Sequence, residues 1–216
     1  MLVGERMSHP IITTTANVPI PEAHKLMRER NIRRLPVVDE KGKLIGILSD
    51  YDILNASPSP ATSLSIWEMN YLINQIKAED IMSKDVFTVE ENDTLEKAAR
   101  IMADNKVGGL PVLREGIPVG VITETDLFKI FLELMGARNP GLRVTVLVPD
   151  KVGELANLTR VISELGGNFI AFSQFLGEDA TNREVTFKVT GVDDEILLKV
   201  ITPYIEKVID VRTVEC

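Results

Sequence analysis

Gly46-Ile47-Leu48-Ser49-Asp50-Tyr51-Asp52 is answered further on by Gly120-Val121-Ile122-Thr123-Glu124-Thr125-Asp126, and this pair of stretches decides the fold. Upstream of them, Leu35-Pro36-Val37-Val38 returns as Leu110-Pro111-Val112-Leu113, and Met7-Ser8 returns as Met82-Ser83. The copies stand 75 residues apart at the Leu-Pro pairs (110 − 35) and 74 at the glycines (120 − 46). The second copy is therefore one residue shorter, in the turn that reads Glu40-Lys41-Gly42-Lys43 in the first. A small unit present twice tends to bury its hydrophobic face against its own copy. The cleft between two such related surfaces is a common place for a ligand.

Around these anchors the first copy reads as a short extended segment at Ile11–Thr15, followed by a helix. Pro19 and Pro21 mark the start of that helix. Ile20, Ala23 and Met27 fall on one of its faces and recur as Leu95, Ala98 and Met102. A strand at Val37-Val38, a turn, a strand from Leu44 to Leu48 and a short helix opening near Ser49 complete the unit. Residues 55–63 have loop composition. Ile66, Met69, Ile73 and Ile76 then form the apolar stripe of a helix that carries the one tryptophan, Trp67. The second copy closes in a helix over Leu127–Met135, and Gly136–Gly141 reads as a linker.

The remainder has another rhythm. Leu142, Val144, Val146 and Val148 alternate as in a strand. Leu155, Leu158, Ile162 and Leu165 make a helical stripe closed by Gly166-Gly167. Phe169–Leu176 and Glu184–Thr190 read as strands. Ile196, Leu197, Val200, Ile201 and Tyr204 form a second helix, which Pro203 should kink or end. A last strand covers Val208–Val214. The order is βαββαβ, a ferredoxin-like arrangement. The expected class is thus α+β, a mixed α/β chain. It divides into repeat 1 (1–54), a loop and amphipathic helix (55–77), repeat 2 (78–135), a linker (136–141) and a C-terminal domain (142–216).

Composition narrows the function. The 216 residues are 44% hydrophobic and 26% charged, the balance of a soluble globular protein. The sequence holds no run of about 18 apolar residues, so no membrane span is expected. Charge at Glu5 and Arg6 stands where a signal peptide needs its apolar stretch, and a cytoplasmic location is expected. The one cysteine, Cys216, permits no internal disulfide. His9 and His24 are far apart and have no Cys or carboxylate partners at ligand spacing, so no metal site is expected. A net charge of −8 disfavours nucleic acid, which needs clustered cations. The local exception is Lys25, Arg28, Arg30, Arg33 and Arg34. Catalytic sets are missing: there is no Ser/His/Asp or Cys/His group, no phosphate-binding glycine loop and no HExxH, so no enzyme is expected.

Two readings of Ser49-x-x-Asp52 and Thr123-x-x-Asp126 stand side by side. Ser/Thr-x-x-acid is a capping box that satisfies orphan amides at a helix start. An ionised Asp, which only accepts hydrogen bonds, also suits the paired hydroxyls of a ribose, with Ser49 or Thr123 assisting. Arg33 and Arg34 can be a solvated pair or a phosphate clamp, since guanidinium forks suit phosphate oxygens. The second copy has Gly108-Gly109 there. If both sites exist, the first should prefer phosphorylated ligands and the second an uncharged tail.

With these motifs, residues 3–135 resemble a tandem pair of CBS domains, a Bateman module. The resemblance implies an adenosine-type ligand (AMP, ADP, ATP, S-adenosylmethionine or NAD) between the repeats. Asp52 and Asp126 would hold ribose, Ser49 and Thr123 would assist, and Arg34 would meet phosphate. Thr13 and Thr88 would contact base or sugar. It also implies a regulatory rather than catalytic role, with no required cofactor and a regulated protein as partner. Residues 142–216, through Val144–Leu155 and Gly166-Gly167-Asn168-Phe169-Ile170, resemble an ACT domain. Asp150, Gly153 and Asn168 fall at the positions where that family binds amino acids. Both resemblances imply a homodimer. The combination is similar to the AcuB-type acetoin-utilisation family, as is the inter-repeat segment Ser57–Glu68. The rival expectations are a ligand-free interaction or scaffold protein and a hydrolase or deacetylase of acetoin or acetate metabolism.

Overall fold

The computed structural model describes residues 1–56 and 65–215. Segment 57–64, the side chain of Ile66 and Cys216 lie outside the described residues. With them lie most of the loop expected at 55–63 and most of the stretch that carries the AcuB-type likeness. The chain forms two compact units, Met1–Leu127 and Phe128–Cys216. Among the described residues, no helix is long and apolar enough to cross a membrane.

The first unit contains β1 (Thr14–Thr15), α1 (Ile20–Glu29), β2 (Arg34–Val38), β3 (Leu44–Ser49), α2 (Asp50–Ala56), α3 (Ile66–Gln75) and α4 (Ala78–Ile81). It continues with β4 (Val89–Glu90), α5 (Leu95–Asn105), β5 (Gly109–Arg114), β6 (Ile117–Thr123) and the start of α6 (Glu124–Leu134). Its strands form two three-stranded sheets, ordered β1-β2-β3 and β4-β5-β6. In each, the first pair is parallel and the second antiparallel. Registers repeat with the sequence: Thr14 faces Val37 as Val89 faces Val112, and Val37 faces Gly46 as Val112 faces Gly120. The missing residue is in the second hairpin. Glu115 (φ 51°) and Gly116 (φ 80°) are its two turn residues, both left-handed, which suits the twist of a two-residue hairpin. The longer first turn is held by Asp39, whose Oδ1 accepts from the amides of Lys41 (2.9 Å) and Lys43 (2.8 Å). The helix expected from Leu127 opens at Glu124, because the Thr123-x-x-Asp126 box is its first turn.

The repeats exchange their opening residues. Ser8 bonds to Val121 of β6 in both directions (N to O 2.9 and 3.1 Å), and Ser83 does the same with Ile47 of β3 (2.9 Å each way). Val3 and Gly4 donate to Asp93 and Glu91 of the second copy. In return Ala78, Ile76, Ile81 and Met82 pack into the core of Ile20, Met27, Leu35, Val37, Leu48 and Ile53. Gly120 makes room for this: a Cβ there would strike the Met7 sulfur and come within 3.0 Å of the Ser8 carbonyl. Gly46 stands in the same relation to Met82 and Ser83. The thioether can give way, but the carbonyl is tied into the bridge. Gly120→Val should therefore cost about 1–3 kcal/mol, read from the urea midpoint, as overpacking does.

The second unit is β7 (Gly141–Pro149), α7 (Glu154–Glu164), β8 (Asn168–Leu176), β9 (Asn182–Thr190), α8 (Asp194–Ile201) and β10 (Lys207–Val214). This is the expected βαββαβ order. The sheet is antiparallel, ordered β10-β7-β9-β8. Pro203 ends α8, which passes into a single 3₁₀ turn. Gly166, at φ 84°, follows the end of α7. Val144, Val146, Val185, Phe187 and Val189 alternate onto the helix-covered face, where they meet Leu158, Ile162, Leu197 and Ile201. Phe187 is fully buried and edge-on to Phe169, with centroids 5.9 Å apart. On the other face Lys188 is buried, and its ammonium donates to the carbonyls of Gly136 (3.0 Å) and Asn139 (2.7 Å). These bonds offset the cost of burying a charge and fix the segment before β7.

Candidate functional site

The two boxes are built alike. At the head of α2 the Asp52 Oδ2 accepts from the Ser49 amide (2.8 Å) and the Ser49 hydroxyl (2.6 Å), while Ser49 Oγ lies 3.2 Å from the Asp52 amide it caps. At the head of α6 the Asp126 Oδ2 accepts from the Thr123 amide (3.0 Å) and hydroxyl (2.7 Å), and the Asp126 amide reaches Thr123 Oγ1 at 3.4 Å. Helix capping is thus present in both copies. It occupies one carboxylate oxygen: among the described residues, Oδ1 of Asp52 has no hydrogen-bond partner. Asp52 is half-buried and Asp126 is buried at 9% exposure. The Asp52 carboxylate is orientationally fixed by its cap, so Oδ1 is a preorganised acceptor. Thr13 and Thr88 stand in equivalent places, each one residue before its parallel strand, and both are half-buried.

The arginines part company. Arg33 is exposed, and its carbonyl accepts from the Asp50 amide (3.1 Å), as the Gly108 carbonyl accepts from the Glu124 amide (3.2 Å). Arg34 is half-buried and runs across to the second repeat. A Cβ at Gly108 would collide with its guanidinium and lie 2.8 Å from the Glu124 carboxylate. A Cβ at Gly109 would lie 3.2 Å from Arg34 Cδ. The guanidinium forms no hydrogen bond or ion pair with a described residue. Burial, then the charge of Arg33, lowers its pKa from the ordinary arginine value, while Glu124 and Asp50 oppose the shift. Glu124 and the cross-seam reach of Arg34 were not legible in the sequence. The Gly108-Gly109 pair was the available signal, since two glycines at an arginine-equivalent position mark space that another side chain fills.

In the second unit Asp150 is not the helix cap. That position is Gly153, at φ 94°, and no side chain caps α7. Asp150 is paired with Arg183, Oδ2 lying 2.7 Å from Nη2 and 2.9 Å from Nε. Asn168 is exposed and opens β8, paired with Thr190.

Two exchanged βαββα modules with paired Ser/Thr-x-x-Asp helix heads define a module pair of one family. The chain belongs to the CBS-domain family, whose model matches residues 3–59 and 78–133. Among solved structures it resembles the CBS pair of protein MJ0100 in complex with 5′-methylthioadenosine and S-adenosyl-L-methionine. That pair is 31% identical, covering 64% of this chain and 98% of that one, with a TM-score of 0.52. CBSX2 in complex with AMP is 27% identical over 61% of this chain and 96% of its own, with a TM-score of 0.52. A candidate acetoin utilization protein (AcuB) from Vibrio cholerae is 29% identical over 64% and 95%, with a TM-score of 0.52. Two curated relatives from Methanocaldococcus jannaschii are each 33% identical, and this chain spans only 47% and 23% of their lengths.

Proposed function

We propose that the chain is a non-catalytic sensor that binds an adenosine-containing ligand between its CBS repeats. Asp52 and Asp126 accept the ribose hydroxyls, Ser49 and Thr123 hold those carboxylates in place, Thr13 and Thr88 line the base and sugar, and Arg33 and Arg34 meet phosphate. The observation that carries the reading is the paired geometry at the heads of α2 and α6. Each cap fixes one carboxylate oxygen and aims the group from the same place in each repeat. The adenosine ligands of MJ0100 and CBSX2 support the ligand class. A ligand shifts a two-state equilibrium only by its differential affinity, so regulation would follow from a changed relation between the repeats. The C-terminal unit is proposed to be an ACT domain, with Asp150, Gly153 and Asn168 as its ligand positions. Its outer strands β8 and β10 are the edges through which a second copy would pair. A place in acetoin utilisation rests on the likeness to the Vibrio cholerae protein alone.

The test is calorimetric titration of the whole chain with AMP, ATP and S-adenosylmethionine, together with its thermal melt. A true ligand at 100 times its Kd should raise the stability of the binding unit by about 2.7 kcal/mol. A melt unmoved by all three ligands at millimolar concentration would favour the second reading, a ligand-free interaction protein. That reading has its own support, since both boxes already serve as caps.

A further inference from the structure

We propose that Arg34 supplies the phosphate-recognising charge of the second repeat's site, across the seam. The inference rests on the adenosine-binding reading above and replaces the expectation that the second site favours an uncharged tail. Gly108 and Gly109 occupy in the second repeat the places of Arg33 and Arg34 in the first. The side chain lying over both glycines is that of Arg34 itself. Its guanidinium reaches the first turn of α6, beside Glu124 and two residues from Asp126 in the chain. The second repeat thus carries the ribose acceptor, and the first repeat reaches over with the cation. A Cβ at 108 would displace the guanidinium, and one at 109 would crowd its Cδ at 3.2 Å, so the two glycines leave the room that the reach uses.

The state of that guanidinium fits a group set aside for an anion. It is half-buried, without a hydrogen bond or ion pair to a described residue, and crowded by Arg33. Glu124 is near enough to offset its charge but makes no ion pair with it. A phosphate offers two oxygens to the fork and is the better partner. The ligand class for the second site is therefore a 5′-phosphorylated adenosine, with phosphate recognition supplied from the other repeat.

Calorimetry on the full chain separates the sites. Asp52→Ala leaves the second site alone and Asp126→Ala leaves the first. Arg34→Gln should weaken AMP roughly 10- to 100-fold in the Asp52→Ala background, the loss expected for a charge-assisted hydrogen bond. It should weaken AMP by less than about twofold in the Asp126→Ala background, as independent sites do. Adenosine, which lacks the phosphate, should respond to Arg34→Gln by less than about twofold in both. Arg34→Lys, which keeps the charge and loses the fork, should recover part of the AMP affinity and guards against a folding defect. A loss that is larger in the Asp126→Ala background, equal in both, or equal for adenosine overturns the assignment. If adenosine binds and AMP shows no dependence on Arg34, this inference alone fails. If the unsubstituted chain binds neither, the adenosine reading fails and takes this one with it.

Discussion

Replacing both aspartates, Asp52→Ala with Asp126→Ala, is expected to abolish adenosine-nucleotide binding while leaving a folded chain. Each carboxylate would accept charge-assisted hydrogen bonds from ribose, at about 1.5–3 kcal/mol apiece. Each site should then lose roughly 10- to 100-fold in affinity or more. The same substitutions remove an element of each capping box, at a cost of about 0.5–2 kcal/mol of stability per helix. Titration and urea unfolding must be measured on the same samples. A purely capping role predicts the stability loss without any change in affinity. Ser49→Ala separates the roles further: it takes the hydroxyl from the cap, where Oγ faces the Asp52 amide at 3.2 Å, but leaves the carboxylate to meet a ligand. A double-aspartate variant that titrates like the unsubstituted chain would remove the ribose assignment.

The largest stability effect is expected at Phe187→Ala in the second unit. Phe187 has no exposure, lies on the central strand β9 and is packed edge-on to Phe169. Truncation to alanine deletes the ring and leaves a cavity that the sheet cannot collapse, since β7 and β8 flank β9 on both sides. Such changes cost about 3–5 kcal/mol. Denaturant unfolding followed by far-ultraviolet circular dichroism would read this as an early loss of the C-terminal unit. A shift below about 1 kcal/mol would mean that this core repacks in the manner of a tolerant, loosely specified interior.

How far the sequence carried the fold depended on whether its signal was local. The hairpins, the capping boxes and the βαββαβ order follow from periodicity and turn residues, and they stand where the pattern put them. The two-residue strand Thr14–Thr15 lies within the extended segment expected at Ile11–Thr15, but its counterpart Val89–Glu90 and the four-residue α4 were missed, because so few residues carry no period. The exchange of Met7-Ser8 and Met82-Ser83 was legible as repetition but not as contact: nothing local says which copy a segment will join. Arg34 shows the same limit. Its charge was visible, yet its destination depends on space left by Gly108 and Gly109, 74 and 75 residues away (108 − 34, 109 − 34). Asp150 shows it too: nothing local says that Arg183, brought in by β9, pairs with its carboxylate.

The traded openings of the two copies make each half incomplete by itself. The segment that seals the sheet ending at Ser49 begins beyond Gln75, and the one that seals the sheet ending at Thr123 is the chain's first eight residues. The covalent link between the halves therefore does what mutual embrace does in a domain-swapped dimer. A lone half, cut anywhere in the connecting segment, would be left holding an unmet edge and seeking a twin.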